Sequence, residues 1–423
     1  MHAREFSKKS FQAIYFPLFV LALLCTTSAA AADWPAFRGP TRDGVVNQKL
    51  PTNWTQTENV VWRTELPGEG WSSPVLVGKE AFLTAAVPMP DGSFDLRLIG
   101  VDTDTGSVNV ITRLFKQSGD APKIHKKNSH ASPTPLYDGK NLYVHFGHQG
   151  TACVSPQGLV NWKNDRLGYP PVHGNGGSPT IVDDLLIFSR DGSDIAEVTA
   201  LDKKSGEVVW QTKRDVEVAR KFSFCTPLVT EINGIQQLIL PGSNVVQSLN
   251  PQTGEEIWRL QYEGYSVIPR PVYHQGLVFV CTGYNRPSLL AIDPTGRGDV
   301  TDTHLVWSTK DSIPHTPSLI PYQDKIALVS DRGVASCFSA KTGEEVWKKR
   351  IGGNFSASPL LSGSLMYLLS ETGDCTILDI AGKEPEIVAT NQLGERCLAS
   401  FAVVGDDLLL RSDKALYRIR PAK

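Results

Sequence analysis

Residues 200–210 read Ala-Leu-Asp-Lys-Lys-Ser-Gly-Glu-Val-Val-Trp, and residues 248–258 read Ser-Leu-Asn-Pro-Gln-Thr-Gly-Glu-Glu-Ile-Trp. In both, an apolar strand end meets Asp or Asn, then a glycine, then a tryptophan four residues on. Asp or Asn opens a turn by bonding the backbone two residues later. Glycine supplies the positive φ that a tight hairpin needs. The pattern returns at Ser339–Gly343 with Trp347, and Gly158 with Trp162 keeps the spacing. Asp293–Gly296 carries an insertion before Trp307, and Asp102–Gly106 has Val110 at the tryptophan position. A large ring recurring once per unit predicts a filler between neighbouring units.

A second signal keeps step with the first. A small or polar residue and a proline open an apolar strand at Ser73-Pro74, Ser132-Pro133-Thr134-Pro135, Ser178-Pro179, Thr226-Pro227, Arg270-Pro271, Thr316-Pro317 and Ser358-Pro359. A degenerate eighth copy begins at Ser400. After a longer first step the interval settles to about 42–48 residues, the size of a four-stranded propeller blade. Alternating strands such as Asn141–Phe146 and Gly276–Val280 lie between the signals, and no stretch keeps a helical period. The expected fold is all-β, an eight-bladed propeller of four-stranded antiparallel blades over residues 59–423. The last repeat lacks an outer strand, and Asn59–Thr64, with Trp62, is expected to supply it and close the ring. The recurring tryptophans of the framework are then Trp62, Trp162, Trp210, Trp258, Trp307 and Trp347.

These repeats resemble those of pyrroloquinoline-quinone enzymes and their non-enzymatic, BamB-like relatives, over nearly all of residues 60–420. Asp33-Trp34-Pro35-Ala36-Phe37-Arg38-Gly39-Pro40 also looks like the opening of many exported propellers of this kind. The resemblance implies fold more than function, because one fold hosts many sites. Its enzymes use an adjacent cysteine pair, a calcium ion held by carboxylate and amide, and a catalytic aspartate. No two cysteines are adjacent here, so pyrroloquinoline quinone with calcium is kept as the alternative, and a non-catalytic binding or assembly scaffold is the expectation.

The ends and the composition add boundaries. Arg4, Lys8 and Lys9, the apolar run Phe11–Cys25 and the small residues 28–32 read as a signal peptide over residues 1–32. Residues 33–58 form an N-terminal extension. Lipidation at Cys25 is not expected, because Leu24 is not small. Export to the periplasm or beyond follows, with no further membrane span. A net charge of −2, with both signs mixed, gives no case for nucleic acid. Partners are therefore an envelope protein or a small polar ligand. Cys153, Cys225, Cys281, Cys337, Cys375 and Cys397 have no metal-ligand spacing and read as small buried hydrophobes. No metal site and no catalytic residue are expected. Asp299, Asp302 and His304 read as a solvated loop.

A binding site is expected where the segments leading into the innermost strands line the channel mouth. The residues there are Trp71, His130, His173, Asn175, Arg270, His315 and Arg396. The insertion Phe115–His130, with Lys123, His125, Lys126 and Lys127, is expected to lie over that mouth as a basic flap.

Overall fold

The computed structural model describes residue 2 and residues 34–421. The predicted signal peptide and Cys25 lie outside the described residues. Eight sheets follow one another along the chain, each an antiparallel run of four strands from the channel outward. Blade 1 spans Val75–Gln117, blade 2 Leu136–Asn164, blade 3 Thr180–Lys213 and blade 4 Leu228–Gln261. Blade 5 spans Val272–Thr309, blade 6 Ile320–Arg350 and blade 7 Leu360–Gln392. Blade 8 takes three strands from Ala402–Ile419 and its outer strand from Val60–Glu65, which pairs antiparallel with Ala415–Ile419. The N-terminal strand therefore closes the ring.

Two blades have a fifth strand that the repeat does not announce. Gly298–Asp299 pairs parallel with the outer strand of blade 4. It is the Asp293–Trp307 insertion, so part of that loop straps the preceding blade while Asp299 stays exposed. Val45–Val46 pairs parallel with the innermost strand of blade 7. It belongs to a segment that crosses the channel. Trp34 O accepts from Leu76 N in blade 1 at 2.9 Å, Pro35 O from Tyr137 N in blade 2 at 2.8 Å, and Gly44 O from Leu361 N in blade 7 at 2.8 Å. Innermost strands expose unpaired backbone groups to the axis, and this plug satisfies some of them.

The tryptophans bridge blades by a specific contact. The indoles of Trp62, Trp162, Trp210 and Trp307 donate to Thr103 O, Lys203 O, Pro251 O and Ala340 O, each in the next blade's turn, at 2.8–3.1 Å. Each ring covers that turn's glycine: a Cβ on Gly206 would lie 2.5 Å from the Trp162 ring, and one on Gly254 would lie 2.6 Å from Trp210. The Asx turns form as read, with Asp202 Oδ1 accepting from Lys204 N and Ser205 N. Trp258 departs from the pattern. It is fully buried and donates to Gln237 within its own blade. The seams between blades hold the core; Ile187 and Val198 of blade 3, for example, pack with Leu238 and Leu240 of blade 4.

Gly206→Ala is expected to cost about 2 kcal/mol or more in urea unfolding, from φ strain plus the displaced indole. Gly234→Ala shares the positive φ, +77° against +75°, but its Cβ meets nothing within 4 Å. It should cost distinctly less. Equal losses would mean that tryptophan docking contributes nothing.

Candidate functional site at the channel mouth

The site is built in tiers around the axis. The lower tier is a collar of hydroxyls in seven of the eight blades, each just before its innermost strand, with Arg270 at the blade 5 position. Ser73 N donates to Thr134 Oγ1, Thr134 N to Ser178 Oγ, and Ser178 N to Thr226 Oγ1, at 2.9–3.0 Å. Beyond blade 5 the chain resumes with Arg270 N to Ser318 Oγ, Ser318 N to Ser358 Oγ and Ser358 N to Ser400 Oγ, at 2.9–3.1 Å. This is why a small hydroxyl residue recurs beside proline: the hydroxyl accepts from the neighbouring blade, while the proline brings no donor to the exposed inner edge.

Two residues upstream of each collar position lies the second tier: Trp71, Ser132, Gly176 and Phe224, then Ile268, Thr316, Ser356 and Leu398. A step of two keeps an extended chain on one face, so collar and second tier both face the axis. Together they enclose a cavity of about 660 Å³ with Phe37 of the plug also lining it. That is a volume suited to a small ligand.

Above them rings form an arc. His125, His173, Phe222, Tyr265, Tyr284 and His315 follow one another at centroid separations of 5.3–5.8 Å. The Arg220 guanidinium lies 4.5 Å over Tyr265 and donates to its hydroxyl. Burial lowers the His315 pKa, against the opposing pull of Asp331.

The flap closes the other side. Blade 1's outer strand runs to Gln117, so Phe115 lies in that strand and the flap proper begins at Ser118. Ile124 bridges His173 in parallel, and His125 N and Asn128 Nδ2 both donate to His173 O, at 3.1 and 2.9 Å. Arg396 Nη2 donates to Lys126 O at 2.6 Å. Lys127 reaches blades 6 and 7, with Nζ 3.8 Å from Asp331 and 2.7 Å from Glu371. Asp331 accepts from His315 N and from Thr316 Oγ1. Burial would raise the Glu371 pKa, but bonds from Lys127 and Ser356 outweigh it and hold the carboxylate below its usual range.

Of the residues expected at the mouth, Trp71, His173 and His315 border the cavity. The other four do not. His130 stacks on Phe94 at 4.8 Å. Asn175 is buried and donates to Phe146 O. In blade 2 the collar residue is Thr134, which leaves His130 four residues upstream, beyond the second tier, and the Asn175 side chain is held away from the axis by its bond to Phe146 O. Arg396 stands behind Trp71, its guanidinium 5.1 Å from that ring. Arg270 holds the plug, donating to Arg42 O at 2.8 Å. The rings of Phe222, Tyr265 and Tyr284 were missed, because they lie in connecting segments with no fixed offset. Counting back two residues from each collar hydroxyl would have found the second tier.

A family model described as outer membrane protein assembly factor BamB matches residues 125–321 and 299–386, more than half of the chain. The chain belongs to this family. Among solved structures, BamB from Moraxella catarrhalis is similar at 15% identity and a TM-score of 0.58, covering 85% of this chain and 99% of that one. The quinohemoprotein alcohol dehydrogenase from Comamonas testosteroni aligns at 10% identity and a TM-score of 0.66, over 93% of this chain and 81% of that one. A europium-containing methanol dehydrogenase aligns at 10% identity and 0.62, over 91% and 90%. At these identities the likenesses establish the fold. A search of curated protein sequences found no match.

The adjacent cysteine pair and the calcium ligands that the resemblance implies for such enzymes are not brought together at this cavity among the described residues. All six cysteines among the described residues are buried and free, and none borders the cavity. No group of three or more His, Cys, Asp or Glu side chains among the described residues is placed to hold a metal ion. Asp331 and Glu371 do converge beside the mouth, but the Lys127 ammonium already bridges them. Among the described residues no helix is long and apolar enough to cross a membrane.

Proposed function

We propose that this is an exported, non-catalytic binding protein of the cell envelope, whose mouth cavity holds a small ligand with a flat ring and a polar edge. The arc of six rings carries the reading. A file of aromatic rings, successive members steeply inclined to one another, beside a hydroxyl-lined cavity suits a planar ligand that stacks on one ring and meets the edge of the next. Trp71, which lines the same cavity, has a buried indole N–H without a partner in the chain. The signal-peptide pattern of residues 1–32 supports export.

Calorimetric titration tests this, with a panel of heteroaromatic acids and with pyrroloquinoline quinone, with and without calcium. One-to-one binding of a flat-ring compound is expected, weakened about tenfold or more by Phe222→Ala or Trp71→Ala, which corresponds to ~1.4 kcal/mol. The quinone is expected to give no calcium-dependent heat. Tight, calcium-dependent quinone binding would put the divergent oxidoreductase first. The family's description as an assembly factor favours a second reading, a scaffold that docks an envelope protein on its blade edges. Exposed apolar residues recur on those outer strands, at Ile111, Val209 and Val388. A stable envelope complex unaffected by Phe222→Ala and Trp71→Ala would establish that reading instead.

A further inference from the structure

Below the collar the channel changes character. Arg38 and Arg42 of the plug and Arg270 of the blade 5 collar position bond to groups one or two residues further down the innermost strands. Arg38 Nη2 donates to Leu319 O at 2.6 Å and also to Asp43 O. Arg42 Nη1 donates to Thr180 Oγ1. Arg270 Nε donates to Pro227 O at 3.2 Å, and its Nη1 to Arg42 O at 2.8 Å. Arg38 and Arg270 are only 3% and 4% exposed. None of these hydrogen bonds is to a carboxylate. Arg38 Nε and Nη1 are buried without any hydrogen-bond partner.

Two facts make this more than a packing accident. Arg270 occupies the one collar position of eight that lacks a hydroxyl, so the ring's repeat is broken where the cluster needs a cation. The charge is also only partly compensated. Asp43 is the carboxylate that acts on Arg38 and Arg270, and its Oδ1 already accepts from Val45 N and Thr41 Oγ1. Burial lowers the pKa of Arg38 to about 10 and that of Arg270, further repelled by Arg42 and Arg38, to about 9. Both therefore remain cationic at neutral pH. Buried charges persist only when paired, and unmade bonds of a guanidinium are costly.

We propose that this arginine trio binds a small inorganic anion of halide size, at a site separate from the mouth cavity. The two unpartnered Arg38 donors and the net positive charge call for an anion. The anion must be small, because Arg38 and Arg270 are almost wholly buried, and the site is distinct from the mouth cavity, which none of the three arginines borders. The anion locks the plug to blades 3, 5 and 6, which those three arginines touch. This reading does not depend on what the mouth holds.

The purified full chain is compared in chloride, bromide and gluconate at equal ionic strength. Chloride and bromide are expected to raise the thermal midpoint over gluconate by about 3 °C, saturably, as any ligand of the native state does. Arg270→Ser restores the hydroxyl found in the other seven blades and should fold. It is expected to lose most of the halide-specific shift, and Arg38→Gln all of it. If Arg38→Gln does not fold, Arg270→Ser decides. Crystals grown in bromide should show anomalous density between Arg38, Arg42 and Arg270. Equal halide responses in the parent and Arg270→Ser, or water alone at Arg38 in bromide crystals, would overturn the proposal.

Discussion

Replacing Val60–Glu65 with a glycine-serine segment of equal length is expected to abolish cooperative folding, although the strand is six residues long. It would leave blade 8 with three strands and bare the edge Ala415–Ile419. The loss is greater than the backbone ladder alone. Trp62 would no longer dock on the blade 1 turn at Thr103 and Gly106. Arg63 would no longer reach Tyr417 at 2.9 Å and Glu395 at 2.8 Å. Val60 and Trp62 pack on the largest core cluster, and half-burying two such side chains contributes roughly 1.5–3 kcal/mol. Four or five ladder and side-chain hydrogen bonds add about 1 kcal/mol each. The sum, about 5 kcal/mol or more, is comparable with the whole stability of many domains. An open edge also templates association. Size-exclusion chromatography should show aggregates, and the thermal transition should broaden or vanish. A monomer melting within a few degrees of the parent would mean that the plug, not the strand, closes the ring.

What was legible in the sequence was whatever repeats. The turn glycines and tryptophans recur because each blade docks on the next by the same contact, so one copy explains the others. The Ser-Pro signal recurs because each hydroxyl accepts from its neighbour. Eight blades, their order and the clasp at Trp62 follow from those two signals. The site is legible only in so far as it shares that register. Trp71 falls on it. Blades 2 and 6 offer two registers each, at Ser132 or Thr134 and at Thr316 or Ser318, and only the inter-blade hydrogen bonds choose between them. The ring arc and the plug were out of reach for a different reason. The plug's contacts join residues hundreds of positions apart, as Arg38 does with Leu319, and the arc's rings meet between connecting segments at irregular separations. No local period encodes such a meeting. The flap was half legible: its basic character marked it, but its anchors at His173, Arg396 and Glu371 are tertiary.

Asp191→Ala is expected to cost about 3–5 kcal/mol, the largest effect of any single substitution considered. Asp191 and Arg214 form a two-pronged pair, Nε to Oδ1 at 2.9 Å and Nη2 to Oδ2 at 2.8 Å. Their side chains are 0% and 2% exposed. Arg214 Nη1 also donates to Leu240 O of blade 4 at 3.0 Å, so the guanidinium is sealed into the seam between blades 3 and 4. Removing the carboxylate strands that charge where water cannot reach it. Removing both partners is a different matter. Asp191→Ala with Arg214→Met leaves no unpaired charge of this pair in the seam, and should recover much of the loss. Urea unfolding of the two single variants and the double variant measures this directly. A single-variant loss below about 1 kcal/mol would show that water hydrates Arg214 in the seam, as it does an exposed ion. The pair also bears on the mouth. Arg214 opens the segment that carries Arg220, Phe222 and Phe224 to the cavity, and Phe222 sits mid-way along the ring arc. Ligand binding should therefore weaken in Asp191→Ala even under conditions where the fold survives. The double variant, with the seam neutral and packed, should bind more nearly like the parent. That coupling links the stability of one blade seam to the shape of the aromatic wall.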